Sequence, residues 1–194
     1  MPARIECLIV GRNFNGTWTR GLHVNRMQFL RGDFSGRRAP VRPPWALPDQ
    51  RFTEACTRCK ACVSACPNGI LIQGRGGFPE VDFSRGECEF CGACALVCTP
   101  GALVPPANTA PWAIKVSIDA SCLTRHGVVC RTCGEQCETG AIRFHIGARG
   151  VATPTLDAAQ CTGCGACIAP CPSAAIRVCR AADEHPALQE AITA

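Results

Sequence analysis

Apolar residues along this chain occur in short runs bounded by glycine-rich or proline-containing stretches. The runs at residues 70–72 and 80–83 predict one hairpin across a glycine-rich turn, and those at 141–146 and 151–155 predict a second. The pattern therefore predicts an α+β chain in which the same small piece occurs twice.

Helical segments are expected to be as short as the strands. Residues 95–98 and 168–171 predict single helical turns, which Pro100 and Pro172 bring to an end. A further helix is expected near the C-terminus, over residues 186–192, because a proline opens it.

The composition indicates what could hold such small elements together. The 194 residues include 18 cysteines, 19 glycines and 15 prolines, whereas aromatic residues make up 6% and tyrosine is absent. A chain so poor in large core side chains needs disulfides, metal ions or clusters. The apolar run at residues 8–10 is too short for an export signal, and no membrane-spanning stretch follows. We therefore expect a cytoplasmic protein whose cysteines bind metal rather than form disulfides.

Sixteen of the cysteines repeat one spacing in four copies. Copies one, two and four read C-x2-C-x2-C-x3-C, whereas copy three has seven residues between its first two cysteines. The four sets are Cys56, Cys59, Cys62 and Cys66; Cys88, Cys91, Cys94 and Cys98; Cys122, Cys130, Cys133 and Cys137; and Cys161, Cys164, Cys167 and Cys171. Cys7 and Cys179 are left over, and we expect neither to bind metal.

This spacing is the one with which bacterial ferredoxins bind [4Fe–4S] clusters. Three thiolates from one short loop hold three corners of a cluster, and the fourth cysteine serves the other cluster of the pair. If neighbouring copies pair, the ligand sets are Cys56, Cys59, Cys62 and Cys98; Cys88, Cys91, Cys94 and Cys66; Cys122, Cys130, Cys133 and Cys171; and Cys161, Cys164, Cys167 and Cys137. Nested pairing, copy one with four and two with three, stays open. Zinc and disulfides compete with clusters, but a third cysteine two residues on has no obvious use in a zinc site.

The copies group into two larger units. The segments joining copy one to two and copy three to four match in kind: an apolar triplet, a Gly/Arg turn and a short extended run. We therefore predict tandem bacterial-ferredoxin-like modules, each with short hairpins and short helices around two clusters. The predicted parts are an arginine-rich arm (1–51), a first module (52–104), a proline-rich linker (105–116), a second module (117–180) and a tail (181–194). The arm is expected to be poorly ordered, and its removal through residue 45 to leave the iron bound.

The arm and the rest of the chain differ in charge. Residues 1–51 contain nine arginines and three acidic residues, a net +6, and residues 52–194 carry −1. Four oxidised clusters at about −2 each would bring the second part to about −9. This charge disfavours nucleic acid as a partner of the core, and the arm is better suited to docking on a protein.

Several motifs resemble those of a known family. The stretches FLRG (29–32) and RPPW (42–45), then Trp112 and the widened run CLTRHGVVCRTC (122–133), occur in this order among the cysteine copies. Over about residues 26–180 the chain resembles the ferredoxin-type accessory proteins of the periplasmic nitrate reductase system, the NapF family. Where that family often has paired arginines before Phe-Leu, this chain has one.

The resemblance implies a cytoplasmic protein with four [4Fe–4S] clusters. Such a protein meets the molybdenum-containing catalytic subunit of periplasmic nitrate reductase before export and assists its maturation, by cluster assembly or electron supply. All sixteen motif cysteines carry over as ligands. No flavin or nicotinamide fingerprint and no nucleophile with a paired base is present, so we expect no enzyme. The alternative is a general electron-transfer polyferredoxin, or an electron-transfer subunit of another oxidoreductase.

The widened third copy raises the question whether Cys122 still binds metal. The chain leads into Cys122 much as it leads into Cys161, and Gly127 can turn the inserted residues back. We therefore predict that Cys122 remains a ligand. The insertion, with Arg125 and His126 at its tip, is expected to face a partner.

Overall fold

The computed structural model describes residues 40–105, 111–147 and 150–180. Its helices are α1 (Asp49–Ala55), α2 (Ala61–Ser64), α3 (Ala93–Leu96) and α4 (Thr132–Glu135), its strands are β1 (Leu71–Gln73), β2 (Pro79–Val81), β3 (Ile114–Ile118), β4 (Ile142–Ile146), β5 (Ala152–Leu156) and β6 (Ile176–Arg180), and single 3-10 turns occupy Arg75–Gly77 and Leu123–His126. Among the described residues, none forms a helix with the length and apolar character needed to cross a bilayer.

Both predicted hairpins are confirmed, with their ends shifted by one or two residues. Strands β1 and β2 pair antiparallel with Leu71 opposite Val81. Strands β4 and β5 pair antiparallel with Ile142 opposite Leu156. Each hairpin turns a buried residue, Leu71 or Ile142, toward the core of its module, so the repeated piece seen in the sequence is also a repeated structure.

Each module is closed by a second pairing that the sequence analysis did not predict. In the second module β3 pairs antiparallel with β6, with Ile118 opposite Ile176. In the first module a single bridge joins Ala46 to Leu103, and the Val104 N–H donates to the Trp45 carbonyl at 2.9 Å. The incoming and outgoing chains of each module therefore lie side by side.

Of the two short helices predicted inside the modules, one forms. The first is Ala93–Leu96, two residues earlier than predicted. The helix predicted at residues 168–171 was wrong, because that segment forms turns. In the other copies the residue three after the third cysteine donates its N–H to the carbonyl four back, as Ala65 does to Ala61 at 3.0 Å. Pro170 occupies that position in copy four and has no N–H to donate.

Residues 40–48, here called the N-terminal segment, pack on the first module although they belong to the predicted arm. Pro43 and Pro44 are fully buried. The Arg42 guanidinium lies over the Phe52 ring at 5.0 Å and pairs with Asp49 at 2.8 Å. Residues 1–39 of the arm lie outside the described residues, as do Cys7 and the predicted C-terminal helix.

The buried side chains form three clusters. One lies in the first module around Phe52, and one in the second around Ile142. The third contains Ile70, Phe83 and Ile114, and therefore belongs to both modules. Strand β3, which supplies Ile114 to this cluster, begins inside the segment predicted as a linker (105–116).

Candidate metal centres

Four cavities in the described structure are each lined by four cysteines. The first site has Cys56, Cys59, Cys62 and Cys98, the second Cys66, Cys88, Cys91 and Cys94, the third Cys122, Cys130, Cys133 and Cys171, and the fourth Cys137, Cys161, Cys164 and Cys167. Counting the open mouth, each cavity measures about 320 to 380 Å³. All sixteen motif cysteines therefore stand at one of these sites.

Each site combines three cysteines of one copy with the last cysteine of the neighbouring copy. Helix α2 contains Cys62 of the first site and ends two residues before Cys66 of the second, so one helical turn connects the two sites. Helix α4 connects Cys133 at the third site to Cys137 at the fourth in the same way. This is the grouping expected if neighbouring copies pair. None of these four cavities unites copy one with copy four, as nested pairing would require.

Left-handed backbone conformations explain how a loop surrounds three sides of a cavity. In copies one, two and four, the residues on both sides of the second cysteine have positive φ; these are Arg58, Lys60, Phe90, Gly92, Gly163 and Gly165. The two reversals turn the chain around the cavity within seven residues. For the non-glycine members this conformation costs roughly 1–2 kcal/mol each. The C-x2-C-x2-C spacing alone gave no sign of it.

Copy three reaches the same arrangement by another route. Cys122 is buried and lines the third site. The residues between Cys122 and Cys130, here called the third-copy loop (123–129), begin with a 3-10 turn that Gly127 ends at φ 81°. After the second cysteine, Arg131 has φ −131° instead of a left-handed conformation. Neither residue beside Cys130 is therefore left-handed, and the loop with its single reversal at Gly127 takes the place of both reversals. Val129 at the end of the loop is 77% exposed.

Hydroxyl groups lie beside the cysteine sulfurs of the third site, a feature the sequence analysis missed. The Thr124 hydroxyl is 3.3 Å from Cys122 Sγ and the Thr132 hydroxyl is 3.6 Å from Cys130 Sγ. Ser173 stands 3.9 Å from the sulfur of Cys171. The signal was present in the sequence as Cys-x-Thr or Cys-x-Ser, which accompanies three of the four cysteines at this site.

Burial raises the pKa of the third cysteine in every copy. With smaller contributions from neighbouring cysteine thiolates, it raises the pKa of Cys62 and Cys133 to about 11, and that of Cys94 and Cys167 to about 12. Thiolates around one cavity repel each other, and a buried thiolate loses its hydration. The positive charge of bound iron would offset both effects.

The donor set of these sites fits a [4Fe–4S] cluster. Four thiols line each cavity, and at the third site the Ala175 N–H also donates to Cys171 Sγ at 3.3 Å. In residues 40–105, 111–147 and 150–180, no three His, Cys, Asp or Glu side chains converge as closely as a single metal ion needs. The cysteines surround a space instead, which is the arrangement of ligands around a polynuclear cluster.

Comparisons with known proteins agree with this chemistry. Residues 55–102 and 128–175 match the family of 4Fe-4S dicluster domains. The second match begins inside the third-copy loop and therefore leaves out Cys122, whose distance from Cys130 departs from the usual spacing.

Three relatives illustrate how far the similarity extends. The ferredoxin-type protein NapF of Escherichia coli strain K12 is 41% identical over 80% of this chain and 94% of its own length. NapF of Haemophilus influenzae is 44% identical over 79% and 93%. The methylamine utilization ferredoxin-type protein MauM of Paracoccus denitrificans is 36% identical over 71% and 70%. The chain therefore belongs to the NapF family of ferredoxin-type proteins.

Proposed function

We propose that the sixteen motif cysteines bind four [4Fe–4S] clusters, one at each site and two in each module. The observation that carries this proposal is the grouping of cysteines: every cavity has four, three from one copy and one from its neighbour. A bound cluster supplies one-electron transfer. The first module then extends over about 40–104 and the second over about 114–180, because β3 begins at Ile114.

The protein's own groups would hold each cluster and adjust its surroundings. Cysteine thiolates bind the iron, while the Ala175 N–H and the Thr124 hydroxyl lie where they donate to thiolate sulfur. Such hydrogen bonds favour the more negative, reduced state. Binding and adjusting clusters requires no catalytic group, and we infer that the chain is not an enzyme.

The role that we propose is that of a cytoplasmic accessory protein for periplasmic nitrate reductase. It would assist maturation of the catalytic molybdenum subunit before export, by cluster assembly or electron supply. Support comes from the similarity to NapF over about four-fifths of the chain.

A general electron-transfer role is the alternative. The 36% identity to MauM, a protein named for methylamine utilization, favours it, because that relative bears the name of a different system. A carrier would exchange electrons with its partner without forming a lasting complex. A maturation factor has to bind the subunit that it prepares.

The third-copy loop is the surface that we expect the subunit to contact. Val129 is 77% exposed beside the third site, and Arg125 and His126 are exposed on the same loop. Apolar side chains next to basic ones are suited to a protein interface. Ile146 on β4 is a matched control, since it is 82% exposed in the same module but lies on the hairpin.

Co-purification of the tagged chain with the catalytic subunit tests this function. We expect a complex with the subunit, and more of it when the export signal of the subunit is removed, because the subunit then stays with its accessory protein. Val129→Asp should weaken binding about tenfold, the effect of losing one moderate contact. Ile146→Asp should leave binding unchanged.

The alternative gives a different result in the same assay. A general electron carrier would yield no complex, with or without the export signal, although its iron content would be complete. Equal binding by Val129→Asp, Ile146→Asp and the unmodified chain would show that the loop is not the contact surface.

A further inference from the structure

The two modules contact each other at the second and fourth sites. The Cys88 N–H donates to the Cys164 carbonyl at 2.8 Å, which joins a cysteine of each site by one hydrogen bond. Beside it the Trp112 indole N–H donates to the Thr162 carbonyl at 3.0 Å. The Trp112 ring also packs edge-on against Phe83, with centroids 5.8 Å apart. We call this contact the module interface.

The module interface has a buried apolar core. Ile70, Phe83 and Ile114 are between 2% and 7% exposed and form one cluster, the first two from the first module and the third from β3 of the second. The partly buried Trp112 and Ile168 pack against them. A contact with such a core fixes the relative position of two small modules far better than a covalent linker does.

A glycine makes this close approach possible. A Cβ atom on Gly165 would lie 2.0 to 2.7 Å from three carbons of the Phe83 ring, closer than real side chains approach. Gly165 follows the second cysteine of copy four and has φ +85°. Gly92 holds the same place in copy two with φ +77°, but a Cβ there would meet nothing within 4 Å. The two positions therefore share a backbone conformation and differ in what lies opposite.

We propose that Gly165 and Phe83 hold the second and fourth sites next to each other, so that the four clusters stand in the order first, second, fourth, third. The proposal rests on the proposed function in needing a cluster at each site. Within a module, one helical turn or a turn of similar length connects the two sites; between modules, the Cys88–Cys164 hydrogen bond connects the second to the fourth. The first and third sites thereby become the ends of the series.

Amide hydrogen exchange in the anaerobically reconstituted full chain tests the interface. In Gly165→Ala the added methyl group pushes Phe83 away, and we expect the Cys88 amide to exchange at least about tenfold faster, a loss of protection that local opening produces. Gly92→Ala lies in the same loop as Cys88 and has a similar backbone penalty, yet should leave that amide protected. Low-temperature electron paramagnetic resonance after reduction with dithionite should show weaker spin coupling in Gly165→Ala than in Gly92→Ala and the unmodified chain.

A second variant covers the case that Gly165→Ala loses iron. Phe83→Ala lies outside every cysteine loop, so it should retain the iron of the unmodified chain and still expose the Cys88 amide. A protected Cys88 amide in both Gly165→Ala and Phe83→Ala would overturn the proposal. An unmodified chain that plateaus at half of the expected iron would contradict the four-cluster function, whereas exchange at Cys88 reports on the interface regardless of that count.

Discussion

Three hydroxyl groups stand beside sulfurs of the third site, and this concentration has a consequence for its cluster. The shortest distance, 3.3 Å, is between the buried Thr124 and Cys122. A hydroxyl that donates to sulfur stabilises the reduced, more negative cluster more than the oxidised one, which raises the reduction potential. The first site has one such contact, between the Thr57 hydroxyl and Cys59, and the fourth site has one, between the Thr139 hydroxyl and Cys137 Sγ at 3.6 Å. We therefore expect the third cluster to be easier to reduce than its neighbours.

Thr124→Val tests this expectation because valine keeps the shape of threonine and lacks the hydroxyl. The potential of one cluster should fall by tens of millivolts, the order expected for one lost hydrogen bond in a one-electron couple. Redox titration followed by electron paramagnetic resonance measures it. Thr124→Ser retains the hydroxyl and should retain the potential. Equal potentials for the valine, serine and unmodified proteins would show that the hydroxyl does not act on the cluster.

At this scale the sequence predicted that the first three cysteines of a copy stand together, and it left the copy that supplies the fourth open between neighbouring and nested pairing. It did not predict how the backbone brings the three together. Cys56, Cys59 and Cys62 lie within seven residues, so their proximity follows from the spacing alone. The left-handed conformations of Arg58 and Lys60 do not, because neither residue type favours positive φ. Only the requirement to surround the cavity accounts for them.

At the scale of elements, the N-terminal segment changes what a deletion is expected to do. Pro44 and Trp45 line the second site, and Ala46 pairs with Leu103. Residues 42–45 form the RPPW stretch on which the family resemblance partly rested. The stretch therefore lines the second site and is part of the first module.

Two truncations test whether the RPPW stretch, unlike the residues before it, is needed to bind a cluster. Removal of residues 1–39 should leave the iron content unchanged after reconstitution. Removal of residues 1–45 should cost about four irons, one cluster, because the second site loses part of its lining. Iron and sulfide analysis measures both. Full iron in the longer truncation would restore the original prediction that the whole stretch is dispensable for the clusters.

Two elements differ from the sequence predictions, one because it pairs with a distant strand and the other because a backbone N–H donor is absent. Strand β6 is formed by pairing with β3, whose residues lie about sixty positions earlier, and an apolar pattern does not name its partner. The helix expected at residues 168–171 was wrong for a local reason, the proline at position 170. Pro170 is visible in the sequence, but the prediction followed the common spacing of the copies and did not take this proline into account.

At the scale of the whole molecule, the duplication was visible in the sequence and the contact between the duplicates was not. Four cysteine copies, joined in two pairs by matching segments, predicted two modules. The module interface depends on Phe83, Trp112 and Gly165, which are far apart in the chain and belong to no motif that marks an interface. How the modules are placed relative to each other therefore needed the structure.

The count of clusters is the property of the whole molecule on which the other expectations depend. Four clusters require about sixteen irons and sixteen sulfides per chain after anaerobic reconstitution. Cys122→Ser should lower the iron to about twelve, since Cys122 lines the third site with three other cysteines. Cys179→Ser should leave it unchanged, because Cys179 lies on β6 with its sulfur 3.2 Å from the Ser117 hydroxyl and lines none of the four sites.

The two substitutions show whether Cys122 still binds iron or has lost that role. If the insertion had displaced Cys122 from its role, the third cluster would depend on another cysteine, and Cys122→Ser would keep a full complement of iron. Loss of a cluster in Cys179→Ser, with none lost in Cys122→Ser, would reverse the assignment. Cys122 is buried beside Thr124 and lines the same cavity as Cys171, which favours the loss of one cluster in Cys122→Ser. A plateau near eight irons in the unmodified chain would mean instead that one module binds none.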